Sequence, residues 1–309
     1  MLYISGLVKS YKNHKVLRDL NMNVHKGDVY GFLGANGCGK TTTMNIICNI
    51  TTKDAGEINF QNPDIRIGYL PEAPALYGYM NGFEYLNFIG ACSRYNEDIN
   101  TRTAEVLELI GMRESAGRLI SGYSRGMIQR MGIASALYAN PELLILDEPT
   151  SALDPQGRAE VMDTIEMLAA TGVTIILCTH ILSDVERVAN KIGILHNGVM
   201  AVEDDAIAMK KRYGDEVSLS IRLGEMRERA LAELNALCIV QKGKLEHTGD
   251  IILTANAGVS EKELYTKTVM TLADLEMLPE RLEFKRLSLE QMYLKVIGGT
   301  SMPERSADL

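Results

Sequence analysis

Three stretches of the chain are short and mostly apolar, without an alternating polar face: residues 28–33 (DVYGFL), 143–146 (LLIL) and 172–180 (GVTIILCTH). Short continuous runs of this kind, partly β-branched or aromatic, predict parallel strands buried on both faces. Residues 40–50 (KTTTMNIICNI) are long enough and suitably spaced for a helix, and residues 73–140 read as mainly helical. After about residue 213 the pattern changes. Residues 217–223 (VSLSIRL) alternate strictly, and residues 250–257 (DIILTANA) are strand-like. Residues 288–299 (SLEQMYLKVIGG) open on a capping box, Ser288 to Gln291, and end in glycines. The expected organisation is an α/β domain over residues 1–212, an α+β accessory domain over 213–298 and a frayed polar tail over 299–309.

Composition narrows the choices. The chain has 309 residues with 46% hydrophobic content, enough for one large core and a smaller one. A formal charge of −8 leaves no broad basic field, so nucleic acid is not an expected partner. The five cysteines, Cys38, Cys48, Cys92, Cys178 and Cys238, are scattered and never form a C-x-x-C pair, which fits a reducing compartment and neither a disulfide framework nor a zinc site. No window approaches the roughly 18 to 20 apolar residues that span a bilayer, and the first residues lack the layout of a secretion signal. A cytoplasmic chain is expected.

Between the first predicted strand and the first predicted helix lies Gly34-Ala35-Asn36-Gly37-Cys38-Gly39-Lys40-Thr41, which fits G-x-x-x-x-G-K-[ST] in the context that motif requires. Residues without a Cβ let backbone N–H groups of Asn36, Gly37, Cys38, Gly39, Lys40, Thr41 and Thr42 curl around a phosphate, and the helix N-terminus adds its positive end. Lys40 then reaches the terminal phosphates, and the Thr41 hydroxyl is suited to Mg²⁺. Cys38 stands near a helix N-terminus and a lysine, a setting that lowers a thiol pKa, but the favoured reading is a small side chain tolerated because only backbone N–H groups bind the phosphate.

The strand at 143–146 ends in two acids, Asp147 and Glu148, at the end of a strand where open parallel sheets place their chemistry. Asp147 is suited to hold Mg²⁺ and Glu148 to polarise an attacking water. An acidic pair at a strand end often serves only as a helix cap, but Asp154 followed by Pro155 already supplies the next N-cap and N1. The strand at 172–180 ends in Thr179 and His180, which puts the imidazole on the same sheet edge. There it is suited to contact a γ-phosphate or the water. His14, His25, His196 and His247 carry the default reading of a structural or exposed histidine.

The motifs occur in a set order: the P-loop, YLPE (69–72), YSRGM (123–127), LLILDEP (143–149), SALD (151–154) and TH (179–180). This ordered set resembles the ATP-binding subunit of ABC transporters, most of all the single-domain exporter type that pairs with a separate membrane subunit, and the resemblance covers roughly residues 2–212. It implies a P-loop NTPase (RecA-like) core with a mainly parallel sheet, an N-terminal antiparallel β subdomain and a helical subdomain. It also implies ATP and Mg²⁺ as cofactors, and a head-to-tail dimer in which Ser124 and Gly126 of one copy contact ATP on the P-loop of the other. Asp154 would lie in the loop that crosses this interface, and Tyr11 would stack on adenine. Glu72 stands where the family usually has the glutamine of its Q-loop, and a carboxylate there still ligates a cation but does not donate a hydrogen bond unless protonated. The signature loop departs from the usual LSGGQ at three of five positions and keeps the serine and the glycine. The implied partners are a second copy and an integral membrane permease, with the chain peripheral on the inner face of the cell membrane. The alternative readings are a soluble ABC-type ATPase in translation or DNA repair, a P-loop GTPase and a non-hydrolysing regulatory subunit. They are weakened by the single cassette without a long insertion, by the missing N-K-x-D motif and by intact catalytic positions respectively.

Overall fold

The computed structural model describes residues 1–93, 95, 98–213, 217–285 and 288–298; the tail expected over 299–309 lies outside them. The chain divides into two compact units, Met1–Ala206 and the residues from Ile207 onward.

The first unit opens with β1 (Leu2–Tyr11) and β2 (His14–Val24), antiparallel to each other, followed by β3 (Val29–Leu33), α1 (Lys40–Ile47), β4 (Ala55–Phe60) and β5 (Ile67–Leu70). β4 pairs antiparallel with β1 and completes the N-terminal antiparallel layer. Within the expected helical stretch lie α2 (Gly82–Cys92), α3 (Ile99–Leu109) and α4 (Arg125–Leu137). Each starts on a side-chain cap: Asn81 and Glu84 form a reciprocal capping box at α2, Asp98 caps α3, and Ser124 caps α4. Then come β6 (Leu143–Asp147), α5 (Pro155–Ala170), β7 (Thr174–Thr179), α6 (Leu182–Val188), β8 (Lys191–His196) and β9 (Val199–Asp205).

These strands form one sheet in the order β4-β1-β2-β9-β8-β3-β7-β6-β5. β8, β3, β7, β6 and β5 run parallel, and the central ones are buried along their whole length, which is why their sequences read as unbroken apolar runs. Register decides what this sheet presents. Leu33 pairs with Thr179 and Asp147 with Cys178, so the loop after β3, the acids at the end of β6 and His180 after β7 all leave the sheet at one edge. Phe32, Ile145 and Ile176 pack with Met44, Ile46 and Ile47 of α1 in a single cluster, which holds the start of α1 over that edge. Cutting Phe32 back to alanine removes about 3 to 5 kcal/mol of this packing.

Beyond the division at Ala206, α7 (Ala206–Tyr213) leads to β10 (Ser218–Arg222), α8 (Arg227–Asn235), β11 (Val240–Leu245), β12 (Ile251–Ala255), α9 (Glu261–Asp274), β13 (Arg281–Lys285) and α10 (Leu289–Gly298). The four strands pair antiparallel in the order β11-β12-β10-β13. Alternation along β10 sends Leu219 and Ile221 into a core shared with Ala230 and Leu234 of α8 and Leu264 and Leu272 of α9. At α10 the Ser288 N–H donates to Gln291 Oε1 at 3.2 Å and the Gln291 N–H donates to Ser288 Oγ at 3.3 Å, the reciprocal cap expected from the sequence.

Candidate functional site

The glycine-rich loop runs from β3 to α1. Gly39, the N-cap of α1, sits at φ 115°, and a Cβ there would come within 2.7 Å of Leu17 Cδ2, so the position excludes any side chain on two counts. Because Gly39 has no side chain to cap α1, the first-turn N–H groups of the helix carry no side-chain acceptor and face the loop's concavity. Lys40 is 5% exposed. Its ammonium donates to the Gly34 carbonyl at 2.7 Å and the Ala35 carbonyl at 3.4 Å, and lies 3.4 Å from Glu148 Oε1. In this state the lysine closes back over its own loop, in the place where an anion's oxygens would compete for it.

Cys38 belongs to the same loop. Its side chain packs half-buried against the apolar core, and burial pushes the thiol pKa up, outweighing the opposing pull of Lys40. A neighbouring lysine and a helix start count for less here than the loss of water around the sulfur, so the lowered-pKa alternative is not supported.

Asp147 is wholly buried at the end of β6, and neither carboxylate oxygen has a partner at hydrogen-bond geometry. Burial raises its pKa, with the Thr41 hydroxyl and Lys40 pulling the other way. An orphaned buried carboxylate beside a threonine hydroxyl is costly by itself, and a divalent cation is the kind of group that offsets the cost. Glu148 follows in the left-handed region at φ 49°, with its N–H donating to the Cys178 carbonyl at 2.8 Å. Non-glycine residues are held there only when the surroundings over-determine them. Its Oε2 lies 2.9 Å from His180 Nδ1 and 3.4 Å from the Thr179 hydroxyl, so carboxylate, imidazole and Lys40 ammonium converge.

Lys40, Glu148 and His180 line one open cavity of about 470 Å³, whereas Cys38 and the wholly buried Asp147 are not on its wall. Of the sequence-predicted residues, Tyr11, Asn36, Gly37, Gly39, Lys40, Thr41, Thr42, Glu72, Glu148 and His180 lie on its wall. Tyr11 stands exposed at the end of β1, with Lys9 Nζ 5.3 Å from its ring centroid. Glu72 is held through its backbone: the Gln129 side-chain amide of α4 donates to the Glu72 carbonyl at 3.0 Å. His14 and Val16 of β2 also line the cavity, although sequence reasoning left His14 as a default histidine. The available signal was the hairpin that folds it back beside Tyr11.

Ser124, Gly126 and Asp154 are not brought to this cavity. They line a second one of about 500 Å³ with Arg125, Ala152 and Gly157. There Ser124 Oγ accepts from the Met127 N–H at 3.3 Å and Asp154 Oδ1 from the Gly157 N–H at 3.0 Å, so each already caps a helix. A Cβ on Gly126 would stand 3.2 Å from Gly157 Cα, so the starts of α4 and α5 meet where both lack side chains.

The ABC transporter family model matches residues 17–151. The chain is 35% identical over 304 residues to YxlF of Bacillus subtilis, an uncharacterized ABC transporter ATP-binding protein, covering 96% of this chain and 99% of that one. It is 33% identical to the bacitracin transport ATP-binding protein BcrA of Bacillus licheniformis, covering 96% of both chains. Among solved structures it is similar to the dimeric post-hydrolysis state of the ATP-binding cassette MJ0796 bound to ADP and phosphate, with a TM-score of 0.59 and 24% identity over 66% of this chain and 98% of that chain.

Proposed function

This chain belongs to the ATP-binding proteins of ABC transporters, and from that premise we propose that it drives an exporter by closing head to tail with a second copy around ATP. The family's activity is ATP hydrolysis coupled to transport. The observation that carries the reading is the pair of complementary cavities. One gathers Lys40, Glu148 and His180 around a phosphate cradle; the other gathers Ser124, Gly126 and Asp154 away from it.

In this reading the backbone N–H groups of residues 36–42 bind the phosphates, Lys40 exchanges its carbonyl and Glu148 contacts for phosphate oxygens, and Tyr11 stacks on the base. Thr41, Asp147 and Glu72 would hold Mg²⁺, which supplies charge neutralisation at the phosphates when bound. Glu148 takes the proton of the attacking water, and His180, hydrogen-bonded to it, orients that carboxylate. ATP favours the closed dimer because it binds that state better than the open one, and its loss by hydrolysis returns the pair to the open state.

Two features support a membrane permease as partner. Among the described residues no helix is long and apolar enough to cross a membrane, so transport by this chain needs a partner that does. The helical stretch also exposes a contiguous aromatic patch. Tyr77 stacks on Tyr79 at 5.7 Å and meets Phe88 edge-on at 5.6 Å, and Tyr79 is 73% exposed. Patches of this kind mark contact surfaces, and here it suits the permease's cytoplasmic helices. BcrA is a bacitracin transport protein, which favours export by a chain placed at the inner face of the cell membrane.

The test is purification of the tagged full-length chain from detergent-solubilised membranes with ATP hydrolysis followed alongside. An integral membrane protein that co-purifies and alters the rate is expected. A strictly solitary chain that cleaves ATP at full speed overturns the reading.

A further inference from the structure

Outside the groups assigned above, the first unit contains a buried carboxylate with three bonds that the hydrolytic reading does not use. Asp184, in α6 four residues after His180, is 3% exposed. Its Oδ2 accepts from the Thr150 hydroxyl at 2.5 Å, and its Oδ1 accepts from Arg158 Nε at 2.9 Å and Nη2 at 2.5 Å. Arg158 Nη2 also donates to the Ser183 hydroxyl at 2.6 Å. Thr150 is 2% exposed, so its bond to Asp184 is shielded from water, where such bonds are strongest and their loss leaves a charged acceptor unsatisfied.

The place of this cluster gives it meaning. Thr150 sits in the middle of the loop 148–154, which bridges the two cavities: Glu148 lines the first, while Ala152 and Asp154 line the second. Glu148 and Ala152 both have left-handed backbone, φ 49° and 58°, so the loop holds its path only while its neighbours enforce it. Two rungs tie this loop to the segment after β7. One is the Glu148–His180 contact at 2.9 Å; the other is Thr150–Asp184. Arg158 adds α5, the helix capped by Asp154, to the same carboxylate. Movement of Asp154 at the second cavity is thereby linked through Arg158, Asp184 and Thr150 to the bearing of Glu148 in the first.

We infer that Asp184 is a positioning residue for ATP hydrolysis, which through Thr150 and Arg158 holds the loop 148–154 in register with His180. The inference rests on the ATPase reading of the first cavity. Asp184 lines neither cavity. The inference therefore requires that loss of the Thr150 rung lowers turnover while leaving nucleotide affinity in place.

The test is steady-state hydrolysis by the purified full-length chain, with affinity for a fluorescent ATP analogue measured separately. Thr150→Val keeps the shape and removes the hydroxyl; Asp184→Asn keeps the shape and removes the charge. Each is expected to lower kcat roughly 10- to 100-fold with KM and analogue affinity within about twofold, as a small misplacement of a reacting group does. Thr150→Ser, which returns the hydroxyl, restores turnover. The double variant is expected to be no slower than the slower single one, since both break one link. If Asp184→Asn fails to fold, Thr150→Val and its serine rescue decide alone. Full turnover in Thr150→Val, or a parallel loss of affinity and kcat, overturns the inference. Glu148→Gln serves as the reference: if it hydrolyses at the wild-type rate, the reading of the first cavity falls and the inference with it. A slow Glu148→Gln beside a full-speed Thr150→Val removes the positioning role alone.

Discussion

Around the P-loop, Asp147 keeps two buried oxygens without partners and Lys40 is occupied by its own loop's carbonyls, whereas at the second cavity Ser124 and Asp154 each already accept a backbone N–H. The first arrangement carries an electrostatic deficit that a cation and phosphates would remove. The second carries none and, seen in one chain, is a pair of ordinary helix caps. A cavity with buried, unsatisfied charge points to a ligand from within one chain. A cavity built from satisfied caps points to one only when another molecule brings it.

Four substitutions break or sharpen this contrast. The largest effect is expected from Glu148→Gln, which keeps the shape of the first cavity and removes the base: hydrolysis falls on the order of 10²- to 10⁴-fold while ATP stays bound, and the ATP-bound dimer accumulates. Phosphate release and size-exclusion chromatography with ATP measure both, and near-normal release removes the base from Glu148. Next is Lys40→Ala. Loss of a charge-assisted contact costs about 1.5 to 3 kcal/mol, or roughly 10- to 100-fold in affinity for a fluorescent ATP analogue, and undiminished binding contradicts the phosphate role of the loop.

Ser124→Arg addresses the second cavity alone. Affinity of the isolated chain for ATP is expected to stay within about twofold, while the ATP-dependent dimer weakens by roughly tenfold or more, because an added charge has to be desolvated at the interface. A dimer of unchanged strength argues against head-to-tail closure. The smallest effect is thermal. Burial raises the Asp147 pKa, so the nucleotide-free fold binds this proton at higher pH than the unfolded chain does. The resulting penalty is absent below the unfolded value and complete once pH exceeds the folded value, so stability falls as pH rises between them. Asp147→Asn is expected to raise the melting temperature of the nucleotide-free protein in chelator at neutral pH and to abolish any gain from Mg²⁺ with ATP. Scanning calorimetry reads both, and a lower melting temperature in chelator contradicts an uncompensated carboxylate.

The first cavity was largely legible in the sequence because its parts lie at the ends of apolar runs. Residues 34–41, Asp147 with Glu148, and His180 each follow a buried strand, and parallel strands bring such ends to one edge. His14 was missed because its relevance depends on a hairpin that returns it beside Tyr11, and nothing in the residue type signals that. The surroundings of Cys38 were not legible, because spacing places it near Lys40 and a helix start but does not say that its sulfur packs into the core. Asp184 with Thr150 and Arg158 was not legible, since 34 residues separate the first pair and the link exists only through side-chain geometry.

What the sequence alone determined is the local chemistry: which backbone segments lack side chains, which strands are buried on both faces, and which caps start α5 and α10. These are short-range consequences of backbone sterics and hydrophobic burial, so a window of residues suffices to state them. Tertiary structure alone decided that Ser124 and Asp154 share a cavity apart from Lys40, that Glu148 holds a left-handed backbone, and that Asp184 ties the loop between them. Those depend on distances between residues far apart in the chain, and only packing sets such distances.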